Sequence, residues 1–128
     1  MNPTPQEVIS LYKEYEKLHQ DAATMLQKHE VIARRNRALH CVEWEVEFSD
    51  VDNSDYGEFT LTGKVNVPQL LRWWRAVPFR AYLESKDDLR EHLLTLRPGQ
   101  RVRLVGTLYY SGDAQGHSFF MRPARLLS

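Results

Sequence analysis

The sequence has one cysteine, Cys41, among 128 residues, so no intramolecular disulfide is available and packing alone must hold the fold. Glycine and proline are absent from Gln6 to Tyr56, which leaves that stretch without its two strongest helix breakers. No apolar run approaches the ~20 residues that cross a bilayer, so no membrane role is expected. The start, MNPTPQEVISLYKEYEK, lacks the basic and apolar segments of a secretory leader. With the single thiol, this reads as a cytoplasmic protein. Catalytic signatures are missing too: there is no Walker loop, no Rossmann glycine pattern, no GxSxG and no HExxH. His19, His29, His40, His92 and His117 are scattered, and none has a second ligand at metal-like spacing. Asp50, Asp52, Asp55 and Glu58 lack the central Gly and terminal Glu of a calcium loop. These absences point away from an enzyme, and they imply no metal and no cofactor. Cys41 follows His40 with no acid or second thiol nearby. A small residue opening a strand is the plainer reading; a nucleophile or redox thiol is the alternative.

What is present suits a soluble domain: 42% hydrophobic and 27% charged residues. Net charge is zero but unevenly placed. Met1 to Thr60 carries 6 Lys/Arg against 12 Asp/Glu, whereas Leu61 to Ser128 carries 11 against 5. Such a split marks either a half that binds a polyanion or two halves that neutralise each other.

The first third reads as one helix. Thr4 suits the N-cap, Pro5 the first helical position, and Glu7 the third residue of a capping box. Helix formers dominate from Gln6 to Arg37, which predicts a helix of about 33 residues and roughly 50 Å. Val8, Tyr15, Ala22 and His29 repeat every seven residues, and Leu11, Leu18, Met25 and Ile32 follow three residues behind. This a/d pattern predicts a coiled-coil seam and a homodimer held by Leu11, Tyr15, Leu18, Ala22, Met25 and Ile32. Glu14 and Asp21 lie early on one edge, with Lys28 and Arg35 late on the same edge, which favours an antiparallel pair. The simpler reading is that the helix packs on the domain behind it.

From Val42 the period changes to two. Val42, Trp44, Val46 and Phe48 alternate with Glu43, Glu45 and Glu47, and Asp50 to Asp55 reads as a turn. Phe59 to Val67 reads as the second strand. Gln69 to Ala76 reads as a short helical insertion carrying Leu70, Leu71, Trp73 and Trp74. Pro78 to Glu84 is a third strand with Phe79, Ala81 and Leu83 inward. Lys86 to Leu96 is a helix stopped by Arg97-Pro98-Gly99. Gln100 to Tyr110 and His117 to Leu127 are the last two strands, the second locally interrupted by Pro123. The organisation is thus α+β: a long N-terminal α-helix over 1–39, then a five-stranded barrel over 40–128. A helix lies between strands three and four, and a Trp-containing insertion lies near 68–77.

The order β-β-β-α-β-β resembles the OB-fold, the oligonucleotide/oligosaccharide-binding barrel. The final third, LRPGQRVRLVGTLYYSGDAQGHSFFMRPARLL, is similar to the last helix and strands of many bacterial OB domains. The resemblance spans about Val42 to Leu127 and implies that strand one pairs with strand four. Glu43, Glu45 and Glu47 would then lie beside Arg101 and Arg103. It also implies a binding face on strands two and three, where Thr62, Lys64, Asn66, Arg80, Tyr82 and Arg122 fall. Arg72, Trp73, Trp74 and Arg75 lie beside that face and offer guanidiniums and indoles for phosphates and bases. The expectation is a non-catalytic binding protein for single-stranded nucleic acid. Against it stand the acidic turn and the zero net charge. Packing of Trp73 and Trp74 inside the fold is the plain alternative for that pair. The other function is a protein–protein assembly module that dimerises through its helix, since Trp, Tyr and Arg also dominate protein hot spots.

Overall fold

Thr4 opens the first helix as expected: its Oγ1 accepts the Glu7 backbone N–H at 3.2 Å, and Pro5 takes the first turn. The computed structural model describes residues 2–53, 57–69, 73–113 and 116–127. It places α1 over Pro5–Asp21 and α2 over Met25–Arg35, so the helix expected to run unbroken to Arg37 is divided. The cause is local. Ala22 turns extended, with φ −65° and ψ 128°. Thr24 then starts a new helix with a reciprocal capping box. Its Oγ1 accepts the Gln27 N–H at 3.2 Å, while Gln27 Oε1 accepts the N–H groups of Thr24 at 3.2 Å and Ala23 at 2.8 Å. Three donors that an unbroken helix would satisfy internally find side-chain partners instead. The helices pack together, with the Arg35 guanidinium 5.9 Å from the centre of the Tyr12 ring.

The strands are β1 Leu39–Asn53, β2 Glu58–Gln69, β3 Trp73–Glu84, β4 Arg101–Asp113 and β5 Gly116–Leu126, with helix α3 at Asp87–Leu94. They close into a barrel in the order β1-β2-β3-β5-β4. Strands β3 and β5 run parallel; every other pair is antiparallel. This is the OB-fold topology, with α3 between β3 and β4 as expected. Period-two alternation fills the barrel with Val42, Trp44, Val46, Phe48, Leu61, Phe79, Leu104 and Phe119.

The two ends are closed by different helices. At one, Leu93 near the end of α3 and Leu96 just beyond it join the core with Phe59. At the other, Val8 and Ile9 of α1 are buried. The Trp44 indole N–H donates to the Pro3 carbonyl at 2.7 Å, and the Asn2 side chain bonds both backbone groups of Glu43. Part of the expected dimer seam is therefore spent inside the chain: Val8 packs on its own barrel, and Ala22 caps α1.

Two segments differ from the sequence reading. The described part of Gln69 to Ala76 is strand rather than a helical insertion: β2 continues through Pro68 and Gln69, and β3 begins at Trp73, with Pro68 opposite Trp74 and Asn66 opposite Ala76. The alternation simply runs on, and Pro68 is tolerated near a strand end. Leu70, Leu71 and Arg72 lie outside the described residues. Asp50 and Asp52 are not turn residues but extend β1 opposite Thr62 and Thr60, after a bulge at Ser49. Each accepts the N–H of its successor, at 2.9 and 2.8 Å. Ser54, Asp55 and Tyr56 lie outside the described residues.

The pairing of β1 with β4 sets Glu45 opposite Arg103 and Glu47 opposite Arg101. The ion pairs run diagonally, Arg101 to Glu45 at 3.4 Å and Arg103 to Glu43. Lys64 on β2 adds a third, 3.5 Å from Glu47. This belt absorbs part of the charge split within one molecule.

Candidate nucleic-acid interface

Inward positions of β3, β4 and β5 build the core, so the residues between them face out. On β3 these are Arg80 and Tyr82, on β5 Ser118, Phe120 and Arg122, and on β4 Tyr109 and Ser111. Strand neighbours bring them together: Arg80 lies beside Phe120, and Phe120 opposite Tyr109. The result is an aromatic row across three strands. Tyr109 and Phe120 stack at 4.8 Å with ring planes 10° apart, and Tyr82 meets Phe120 edge-on at 6.5 Å. All three rings are half-buried, so each keeps part of its surface open.

Cations flank the row. Arg122 lies over the Tyr82 ring at 4.6 Å and pairs with Glu58. Arg80 is exposed, and none of the ion pairs among the described residues includes it. Thr62, Arg80, Tyr82, Ser111, Ser118 and Phe120 line an open groove of about 500 Å³. Wide, shallow and rimmed by hydroxyls, it suits a stacked base with a phosphate on Arg80 better than an enclosed small molecule.

The other expected site residues do not join it. Lys64 and Trp74 line a second groove of about 510 Å³ with Glu45, Glu47, Asn66 and Arg101. Trp74 is 67% exposed there, so it does not plug the barrel; Trp44 does. The two glutamates make this groove hostile to phosphate. Arg75 falls on the opposite side of β3, where a Cβ added at Gly116 would come 3.0 Å from its Nη2. Trp73 starts β3, but its side chain, like the whole of Arg72, lies outside the described residues. Phe120 and Tyr109 were not among the expected site residues. The signal was there: Phe119 and Met121 point inward, which forces Phe120 out, and Tyr109 alternates with Leu108.

Beside Arg75, the Tyr110 hydroxyl and His117 Nδ1 share a hydrogen bond. Burial, then Tyr12 and Glu16, push the Tyr110 hydroxyl far above its ordinary range. Burial lowers the His117 pKa from 6.5, with Lys13 and Arg75 adding to the fall. Both groups are held neutral near pH 7 where α1 meets the barrel. Among the described residues no cluster of His, Cys, Asp or Glu could hold a metal ion. Among the described residues no helix is long and apolar enough to cross a membrane.

No family model and no curated protein matches the chain. Among solved structures it is similar to the Plasmodium falciparum SSB complex with ssDNA, at 13% identity and a TM-score of 0.41. That likeness covers 72% of this chain and 97% of the other, and is too loose to carry a function across. The class rests on the barrel's own topology: an OB-fold with an added N-terminal helical hairpin.

Proposed function

We propose that this is a non-catalytic OB-type protein that binds single-stranded nucleic acid across the outer face of β3, β5 and β4. The row Tyr82, Phe120 and Tyr109 beside the exposed Arg80, which no ion pair among the described residues engages, carries the reading. Aromatic faces stack on any base, which makes such a row tolerant of sequence, and each stacked base is worth about 1–3 kcal/mol. Arg80 supplies the phosphate contact. Lys64 and Trp74 sit among glutamates and contribute less.

Anisotropy of labelled single-stranded DNA and RNA at about 50 and about 200 mM salt tests this. Micromolar binding that weakens steeply with salt is expected. Tyr82→Ala and Phe120→Ala should each weaken it about 5- to 150-fold. No binding at low salt, or full affinity in both variants, would overturn the proposal.

A second reading, assembly through the helical hairpin, has its own observation. Leu11, Leu18, Met25 and Leu26 are exposed, the last two at 64% and 71%. A homodimer covering these residues predicts a solution mass twice the chain's 15.0 kDa.

A further inference from the structure

Asp50 and Asp52 weigh against a phosphate-binding face, yet strand register joins them to it. After the bulge at Ser49, Val51 packs against the core, so both aspartates face out. Asp50 is the partner of Thr62, Thr62 of Arg80, Arg80 of Phe120 and Phe120 of Tyr109. All five side chains point away from the core, so one line across the barrel reads carboxylate, hydroxyl, guanidinium, ring, ring. Thr62 and Arg80 share the open groove with Phe120, and Asp50 stands at its β1 end. Glu43, Glu45 and Glu47 of the same strand each have a cation partner. Asp50 and Asp52 are exposed, and no ion pair among the described residues includes either. Asp50 Oδ1 accepts the Val51 N–H at 2.9 Å, a local contact that leaves the carboxylate its second oxygen. Lys64, one outward position along β2 from Thr62, is held 3.5 Å from Glu47 instead.

A carboxylate beside a nucleic-acid face repels phosphates but is not inert toward bases. It only accepts hydrogen bonds. Its partners among the bases are amino groups, as in the pairing of Asp or Glu with cytosine N4. We propose that Asp50 reads the base whose phosphate lies on Arg80, so that the face selects bases with an exocyclic amine over thymine and uracil. The proposal rests on the nucleic-acid reading above and narrows it to a class of strands. From β3 to β1 is two strand spacings, roughly 10 Å, the reach of one nucleotide from its phosphate to the far edge of its base. The Thr62 hydroxyl lies between and donates or accepts as the base requires, so it does not choose. Cytosine sets an amine next to a ring acceptor, which suits Asp50 and Thr62 together. Thymine and uracil offer their single edge N–H between two carbonyl oxygens, which a carboxylate repels.

The test compares oligo-dC with oligo-dT, both of about 8 nucleotides, within the range of an OB-fold's site. Two pyrimidines present rings of one size to Phe120 and Tyr109, so a difference between them reports the base edge. Anisotropy is read at about 50 mM salt for wild type, Asp50→Asn, Asp52→Asn and Phe120→Ala. Asparagine keeps the side-chain oxygen for Val51 and removes the charge from an exposed position, and an unchanged melting curve confirms the fold. Wild type should bind oligo-dC at least about 5-fold tighter than oligo-dT. Asp50→Asn should weaken oligo-dC and strengthen oligo-dT, bringing the two within about twofold, whereas Asp52→Asn should leave their ratio unchanged. Equal affinities in wild type, or a ratio that survives Asp50→Asn, would overturn the proposal. So would a gain of similar size for both strands in Asp50→Asn, the mark of simple repulsion of phosphate. If wild type binds both strands alike and Phe120→Ala abolishes that binding, only this inference fails. If wild type binds neither strand, the function proposed above fails with it.

Discussion

Gly106 shows how one residue sets the shape of the barrel. It stands opposite Ala124, and Leu108 stands opposite Met121, so Thr107 faces both Arg122 and Pro123. A Cβ at Gly106 would lie 2.1 Å from the Pro123 carbonyl and 2.9 Å from the Ala124 Cα, both backbone atoms that cannot swing away. Gly106→Ala should therefore cost about 3 kcal/mol in a denaturant melt, at the upper end for overpacking. A loss under about 1 kcal/mol would mean that β5 can shift. His117 acts through its proton. Its folded pKa lies below 6.5, so above pH 6.5 both folded and unfolded forms are neutral and its contribution to stability is complete. As pH falls through 6.5 the unfolded chain takes up the proton first, and stability is lost down to the folded pKa. The melting temperature should drop from about pH 7.5 to about pH 5, and less steeply in His117→Gln. Parallel slopes in the two proteins would remove His117 as the cause. The groups facing it are Lys13 and Glu16 of α1, Arg75 of β3 and Tyr110 of β4.

Among the elements, the two N-terminal helices carry unequal weight. Helix α1 buries Val8 and Ile9 in the barrel's end, whereas α2 buries nothing. An 11-residue helix is marginal alone in water, so α2 depends on its capping box and on α1. Ile9→Ala should cost about 2–4 kcal/mol of global stability. Leu18→Ala, on the exposed side of the same helix, should cost under about 0.5 kcal/mol. Chemical denaturation of the two variants measures the contrast, and similar losses would refute the division of labour. The Thr24-Met25-Leu26-Gln27 box was legible as sequence, but long-range helix propensity pointed the other way. The hairpin formed because capping acts on a few specific donors, while propensity adds only tenths of a kcal/mol per residue. The extension of β2 and β3 past Pro68 was illegible for a different reason: Leu70-Leu71 and Trp73-Trp74 fit a helix face as well as a strand until the opposite strand is in place.

For the whole molecule, the charge split of the sequence resolves partly into the belt of Glu43, Glu45 and Glu47 with Arg101, Arg103 and Lys64. Each exposed pair adds at most about 1 kcal/mol, so the belt fixes register more than it stabilises. Its larger consequence is subtraction: Lys64, Arg101 and Arg103 are engaged by glutamates and so less available to phosphate, whereas Arg80 stands outside the belt. The exposed Leu11, Leu18, Met25 and Leu26 make a prediction at this scale. Sedimentation should give a dimer, and Leu18→Glu with Met25→Glu should return the mass to 15.0 kDa without lowering the melting of the barrel. A monomeric wild type would remove the homodimer and leave those residues as surface.

By itself the sequence determined the succession of elements along the chain, the helix between the third and fourth strands and the alternation that chooses the core, because local periodicity is written along the chain. The pairing of acidic β1 with basic β4 came instead from the resemblance to the OB-fold, and the structure bears it out. Only the tertiary structure decided which outward residues stand together. Tyr82, Phe120 and Tyr109 are far apart in sequence, and their row exists because β5 inserts between β3 and β4. Lys64 and Trp74 were drawn instead to the glutamates of β1, and Arg75 to the far side of its strand. Alternation states which face a side chain takes, but strand order and register state its neighbours, and those depend on closing the barrel.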